Sequence, residues 1–142
     1  MLKVTVYKID GDCMEPTIQI DERILVRLRS HETEPPNRGD IIAYHFPQPP
    51  RPGGPDYPYS EFLRRVIGLP GDRVRIKDNR VYINGEPLED RYVFFKDNSV
   101  ETWVPGDHYF IMGENRNTSR NSDCLDLVPD GLIVGKALVL SD

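Results

Sequence analysis

The sequence lacks two features that would each assign it to a broad class of protein. Its 142 residues contain only two cysteines, too few for the disulfide framework of a small secreted domain. Lys and Arg number 18 against 23 for Asp and Glu, a net charge of −5, so the chain lacks the basic excess that neutralises nucleic-acid phosphates. We therefore expect no nucleic-acid partner.

Long apolar runs are also missing. No stretch approaches the roughly 18 apolar residues of a membrane-spanning helix, and no basic-then-apolar leader follows Met1. If the chain is complete, these features predict a cytoplasmic protein. The spacing of its His and Cys residues matches no zinc pattern, so we expect neither a metal nor a cofactor.

The length and the turn-forming residues indicate the fold class. At 16.3 kDa the chain is the size of one domain, residues 1–142, with enough surface to bury a core. Its 13 Pro and 11 Gly interrupt nearly every window long enough for a helix. Short segments fit strands instead: 4–9, 24–26, 41–44, 74–77, 81–83, 92–95, 102–104, 109–112 and 133–140. We predict an all-β fold of small, strongly bent sheets, with short helices at most.

The strongest local signal is a hairpin. Val74 and Ile76 alternate with charged residues, Asp78-Asn79 can form a tight turn, and Val81 and Ile83 resume the alternation. Asn84-Gly85 offers a second turn immediately afterwards.

Residues 46–58 form a proline-rich insert. It holds six of the prolines around Gly53-Gly54, and we predict an extended loop with polyproline character rather than a strand, because proline cannot donate to a ladder. The insert could form the rim of a substrate or partner site; an exposed linker between strands is the more ordinary interpretation.

Three motifs stand out when they are taken together. They read GDCMEPTI at residues 11–18, RGDII at 38–42 followed by RVIGLPGD at 65–72, and MGENRNTS at 112–119 with VGKA at 134–137. Each alone is weak, but their order and spacing resemble those of the bacterial type I signal peptidases. The resemblance runs from about Val4 to Leu138.

The resemblance implies a fold and an activity. That family has an all-β catalytic domain, shared with self-cleaving repressors and normally carried on an N-terminal membrane anchor. It cleaves signal peptides from exported proteins with a serine nucleophile and a lysine general base. The expected partner is thus an extended, signal-type peptide. A truncated form of an anchored protein would act on the extracytoplasmic face of the membrane. We expect membrane contact only through a removed anchor or through the rim of the peptide cleft.

The same resemblance assigns site residues. Cys13 stands at the nucleophile position, Arg64 at the position of the general base, and Ser119 at that of a serine which supports the lysine. The peptide-binding and oxyanion segment comprises Gly11, Asp12, Met14 and Pro16, with the Cys13 backbone N–H donating to the oxyanion. The structural motif residues are Arg65, Gly68, Pro70, Gly71, Asp72, Gly113, Asn115 and Arg116. The third motif also departs from the family pattern, with Glu114 for an aspartate and Asn121-Ser122-Asp123 for Asp-Ser-Arg.

The two substitutions at the dyad change the expected chemistry. Arginine has a pKa above about 12 and cannot serve as a general base. A guanidinium near Cys13 would favour its thiolate, but amide cleavage also needs a proton for the departing amine. We therefore favour a degenerate peptidase that binds extended peptides with weak or no proteolysis. An active endopeptidase that uses Cys13 and a thiol redox or regulatory module are the alternatives.

Other titratable residues have ordinary interpretations. For His31, His45 and His108 a surface or strand histidine is favoured over a replacement base. Asp12, Asp40 and Asp72 are expected to brace turns. Cys124 follows the third motif, and a disulfide with Cys13 stays open because sequence does not reveal the distance.

Overall fold

The part of the chain that the structure describes is mainly β-strand. The computed structural model describes residues 3–9, 14–15, 17–19, 21–29, 35–47, 59–78, 80–88, 100–114 and 125–138. The strands are β1 (Val4–Lys8), β2 (Arg23–Leu28), β3 (Ile41–Pro47), β4 (Tyr59–Gly68), β5 (Arg73–Lys77), β6 (Arg80–Ile83), β7 (Glu86–Pro87), β8 (Val100–Trp103), β9 (His108–Met112), β10 (Leu125–Pro129) and β11 (Ile133–Leu138). A 3₁₀ turn, Asp130–Leu132, joins the last two. The predicted all-β class is confirmed.

The strands form two antiparallel sheets. In the first sheet the order is β1-β2-β11-β3-β4-β9-β10, and in the second it is β7-β6-β5-β8. The chain passes from the first sheet to the second between β4 and β5, through the turn at residues 69–72. Within the described ranges, no helix has the length and apolar content that crossing a bilayer requires.

The predicted hairpin is present as β5 and β6. Val74 lies opposite Ile83 and Ile76 opposite Val81, and all four side chains are buried. The second turn joins β6 to β7, with Asn84 at φ 52° and Gly85 at φ 88°. Two consecutive positive φ angles are typical of the type I′ turn that Asn-Gly favours, because its twist matches that of the flanking strands.

The structure contains three strands, β4, β7 and β10, that the sequence pattern did not reveal. β4 is ten residues long and pairs with both β3 and β9. It was missed because a strand buried on both faces does not alternate between apolar and polar residues. The predicted strand at 92–95 lies outside the described residues.

The predicted start of the proline-rich insert needs correction. Phe46 and Pro47 continue β3 and lie opposite Ser60 and Tyr59 of β4, so the ladder extends past the predicted boundary. Proline is tolerated there because it ends the strand. Residues 48–58 of the insert lie outside the described ranges.

Gly68 permits the close packing of the two sheets. It ends β4 beside a register shift in the pairing with β9. A Cβ atom at this position would lie 2.7 Å from Val74 Cγ2 and 3.0 Å from Val104 Cγ2. The surrounding core cluster takes Ile67, Phe110 and Met112 from the first sheet and four members from the second, which are Val74, Ile76, Val81 and Ile83. The glycine therefore lets side chains of the second sheet reach the backbone of the first.

We expect Gly68→Ala to destabilise the protein by about 1–3 kcal/mol, because an added methyl overpacks this contact. Urea unfolding measures the change. Gly106→Ala is the matched control, since a Cβ there meets no atom within 4 Å, and its effect should stay within about 0.5 kcal/mol. Equal losses in the two variants would contradict the packing role of Gly68.

Candidate functional site

Two adjacent arginines on β4 face opposite sides of the first sheet. Successive side chains of a strand alternate, so Arg64 shares a face with Phe62 and Val66, whereas Arg65 shares one with Leu63. Their cross-strand partners on β3 alternate likewise, Ile42 opposite Arg64 and Ile41 opposite Arg65. The two arginines therefore meet different surroundings.

Arg64 is buried, with 8% of its surface exposed. Its guanidinium carbon lies 5.0 Å from the centre of the Phe62 ring, and Nη1 donates to the Leu63 carbonyl at 2.7 Å. The apolar cluster on this face includes Ile42 and Val66. Stacking on an aromatic ring and donation to a carbonyl suit a guanidinium, which stays charged when it is buried.

Arg65 belongs to a polar junction that we define by Thr17, Gly39, Arg65 and Glu114. Arg65 Nε donates to Glu114 Oε2 and Nη2 to Oε1, the latter at 3.2 Å, so the pair is bidentate. Arg65 Nη1 also donates to the Gly39 carbonyl at 2.5 Å. Thr17 Oγ1 donates to the same Glu114 carboxylate. Bidentate pairs of this kind combine strength with a defined orientation.

The junction joins segments that are far apart in sequence. Thr17 comes from the first motif, Gly39 from the Arg-Gly-Asp segment, Arg65 from β4 and Glu114 from the end of β9. The side chains of Arg65 and Glu114 are 16% and 8% exposed, so solvent screens their attraction little. One partly buried carboxylate thus ties the three motifs together.

A second polar cluster holds the turn between the sheets. Asp72 Oδ2 accepts from the Leu69 backbone N–H at 2.8 Å and from Arg38 Nη2 at 2.5 Å, and Oδ1 accepts from Asn84 Nδ2 at 3.0 Å. Arg38 Nε donates to the Ile67 carbonyl at 3.1 Å. These hydrogen bonds agree with the turn-bracing role expected of Asp72. Asp40 behaves similarly, accepting from a backbone N–H three residues earlier.

The contacts around Asp72 also change its acidity. Burial by itself raises the pKa of this carboxyl, but the hydrogen bonds from Leu69, Arg38 and Asn84 outweigh burial and hold the pKa below its ordinary value of 3.8. Asp72 is therefore ionised in the folded protein under ordinary conditions and is a structural rather than a proton-transferring group.

Met14 lies on the Leu63 side of the first sheet. It is 3% exposed and packs with Ile18, Ala43 and Leu63 in one apolar cluster, and its carbonyl accepts from the Ile18 N–H at 2.9 Å. Met14 and Ile18 of the first motif are thus anchored in the core, whereas Arg64 points to the other face.

The structure describes only some of the predicted site residues. Cys13, Gly11, Asp12, Pro16, Ser119, Asn115, Arg116 and Cys124 lie outside the described ranges. Of the others, Arg65 joins the polar junction, and Gly113 is buried beside Glu114. Asp72 braces the turn that contains Pro70 and Gly71. Gly68 packs between the two sheets. Gly71 has φ 88°, which suits glycine.

Sequence reasoning missed the partners that complete these clusters. Thr17 and the Gly39 carbonyl complete the junction, Asn84 completes the Asp72 cluster, and Phe62 packs on Arg64. Only Phe62 carried a local signal, since it stands two residues before Arg64 and so shares its face once β4 is known. Among the described residues, no group of three His, Cys, Asp or Glu side chains is placed to hold a metal.

We expect Glu114→Ala to reduce the free energy of unfolding by about 3 kcal/mol, because it leaves the partly buried Arg65 without its counter-charge. Denaturant unfolding measures the loss. Glu101→Ala is the matched control, since Glu101 forms an ion pair with Arg73 in which both side chains are about half exposed. The junction would lose its proposed importance if both variants were equally mild.

We expect the contribution of Asp72 to stability to depend on pH. Its lowered folded pKa means that the unfolded state takes up a proton first on acidification. The stabilisation is thus fully present well above pH 3.8 and disappears as the pH falls through the folded pKa. The gap in unfolding free energy between wild type and Asp72→Asn should narrow below about pH 4. A gap independent of pH would contradict this account.

Comparisons with known proteins agree with this architecture. A family model described as signal peptidase, peptidase S26, matches residues 1–141. A signal peptidase I of Leptolyngbya laminosa is 37% identical over 135 residues, covering 92% of this chain and 65% of that protein. A probable signal peptidase I-2 of a Synechocystis strain is 34% identical, with 92% and 60% covered. The chain thus spans less than two thirds of the length of these relatives.

A solved structure extends the likeness to the fold. The crystal structure of a signal peptidase I from Enterococcus faecalis aligns with a TM-score of 0.53 at 28% identity, covering 76% of this chain and 98% of that one. The family model spans nearly every residue of the chain, including the segments that meet in the polar junction. The chain therefore belongs to the signal peptidase, peptidase S26, family.

Proposed function

We propose that this chain is a signal-peptidase-like domain that binds extended, signal-type peptides and hydrolyses them slowly or not at all. The observation that carries the proposal is the burial of Arg64, the residue that the motif resemblance assigns to the family's general-base position. A lysine there can be made neutral by burial and then accept a proton from the nucleophile. Arg64 stays protonated in the same surroundings and cannot accept one.

The contacts of Arg64 support a role as a fixed positive charge rather than as a base. Its guanidinium packs on Phe62 and donates to the Leu63 carbonyl, contacts that hold the charge in a fixed place on β4. A fixed cation near Cys13 would favour the thiolate but would supply no proton to a departing amine. Acylation of Cys13 would therefore stall before the amine leaves.

Peptide binding is supported by family membership and by the sheet itself. An extended peptide can add to an exposed strand edge through main-chain hydrogen bonds, while pockets select its alternate side chains. Among the described strands, β1 and β10 form the margins of the first sheet.

The test compares cleavage of a synthetic signal peptide by wild type, Cys13→Ser, Arg64→Lys and the double variant. We expect little or no turnover by wild type and by each single variant. The double variant should cleave, because it rebuilds a serine with a lysine whose pKa burial lowers. Its rate should rise with pH as that amine loses its proton. Liquid chromatography with mass spectrometry measures the products.

Controls separate lost chemistry from a lost cleft. Cys13→Ser with Arg64→Met has the length of the lysine variant without an amine, and it should remain inactive. Fluorescence anisotropy with a labelled signal peptide should show that wild type still binds. Wild-type turnover that vanishes in Cys13→Ala would overturn the proposal in favour of a thiol peptidase, and absence of peptide binding would overturn it altogether.

A further inference from the structure

A cavity of about 310 Å³ opens on the Arg64 face of the first sheet, away from the Met14 cluster. Its walls come from β2, from β11 and from residues 35–42, with the buried Ile42 and Ile133 at its base. A cavity of this size accommodates a small organic molecule or the head of a larger one. The peptide-binding proposal does not use it.

The Val134-Gly135-Lys136 segment shapes this cavity. The register between β11 and β3 shifts between Ile133 and Gly135, which is a bulge that changes the direction of β11. A Cβ on Gly135 would collide with the backbone carbonyl of Arg27, its carbon only 2.9 Å away. Glycine at this position therefore lets β11 lie close to β2 at the cavity wall. The motif at residues 134–137, which has no assigned role in the dyad, thus has a structural role.

Three cations line the cavity: Arg27, Arg29 and Lys136. Arg27 and Lys136 are direct cross-strand partners, an arrangement that like charges disfavour unless an anion lies between them. Among the described lining residues Asp40 is the carboxylate, and it pairs with Lys136 Nζ at 3.1 Å. These described residues therefore carry an excess of positive charge in a protein whose net charge is −5.

The existing contacts leave donors available. Arg29 uses Nη1 for Asp130, at 2.9 Å to the carboxylate and 3.2 Å to the carbonyl. Arg27 is exposed, and no carboxylate of the described residues lies within ion-pair distance of it. A guanidinium has five N–H donors in a planar fork that matches the oxygens of a phosphate.

Exposed apolar side chains continue the same face beyond the cations. Val4 lies opposite Arg27 and Val6 opposite Leu25, and the two valines are 48% and 56% exposed. Leu25 is 38% exposed. Cations next to exposed apolar residues suit a ligand with an anionic head and an apolar body.

We propose that this cavity binds a phosphate group, with Arg27, Arg29 and Lys136 as its donors. The phosphate can belong to a phospholipid headgroup or to a free phosphate ester, and the chemistry of recognition is the same for both. Arg64 is not among the residues that line the cavity, and the binding measurement uses no peptide.

The experiment titrates the full chain with glycerol 3-phosphate in one arm and with phosphatidylcholine–phosphatidylglycerol vesicles in the other. Amide NMR shifts report the first arm and cosedimentation the second. We expect the shifts to concentrate at Arg27, Gly135 and Lys136, and binding to weaken as salt rises. Binding in the vesicle arm alone assigns the headgroup, and binding in the ester arm alone assigns the free phosphate.

Arg27→Gln should weaken binding about tenfold or more in the arm that binds, the loss of one charge-assisted contact. Arg75→Gln is the matched control, since it removes the same charge from an exposed position on β5 in the second sheet. Equal weakening by the two variants would mean that binding depends only on the overall charge of the protein, and it would overturn the proposal. Absence of binding in both arms would also overturn the proposal.

Discussion

The arrangement of the three motifs depends on the partly buried ion pair between Arg65 and Glu114. Removing two charges from water is costly, and the cost is offset only when the charges are paired and their remaining hydrogen-bonding groups are satisfied. Here Thr17 donates to the carboxylate and the Gly39 carbonyl accepts from the guanidinium. The pair thereby holds the first motif, the start of β3 and the end of β9 at one place on β4.

The alternation of β4 gives two chemically identical neighbours different surroundings. Arg65 faces a carboxylate, and Arg64 faces an aromatic ring and an apolar cluster. A guanidinium stays charged in both surroundings. A carboxylate neutralises Arg65, whereas an aromatic ring and a backbone carbonyl hold Arg64 in place.

The features predicted from sequence were those that depend on near neighbours. The hairpin of β5 and β6 follows from alternation around a turn, and the Asn84-Gly85 turn follows from the φ angles these residues accept. β4 escaped prediction because its two faces are both covered by other elements. The junction escaped because Thr17 and Glu114 are 97 positions apart, and no local pattern reports a contact at that separation.

The sequence by itself determined the all-β class and the family, because these depend on residue types and on their order along the chain. Only the tertiary structure decided that Arg64 and Arg65 face opposite sides, that one carboxylate joins three motifs, and that Arg27 and Lys136 meet across two strands. Strand order and register bring these residues together, and both are set by packing and hydrogen bonding between distant segments.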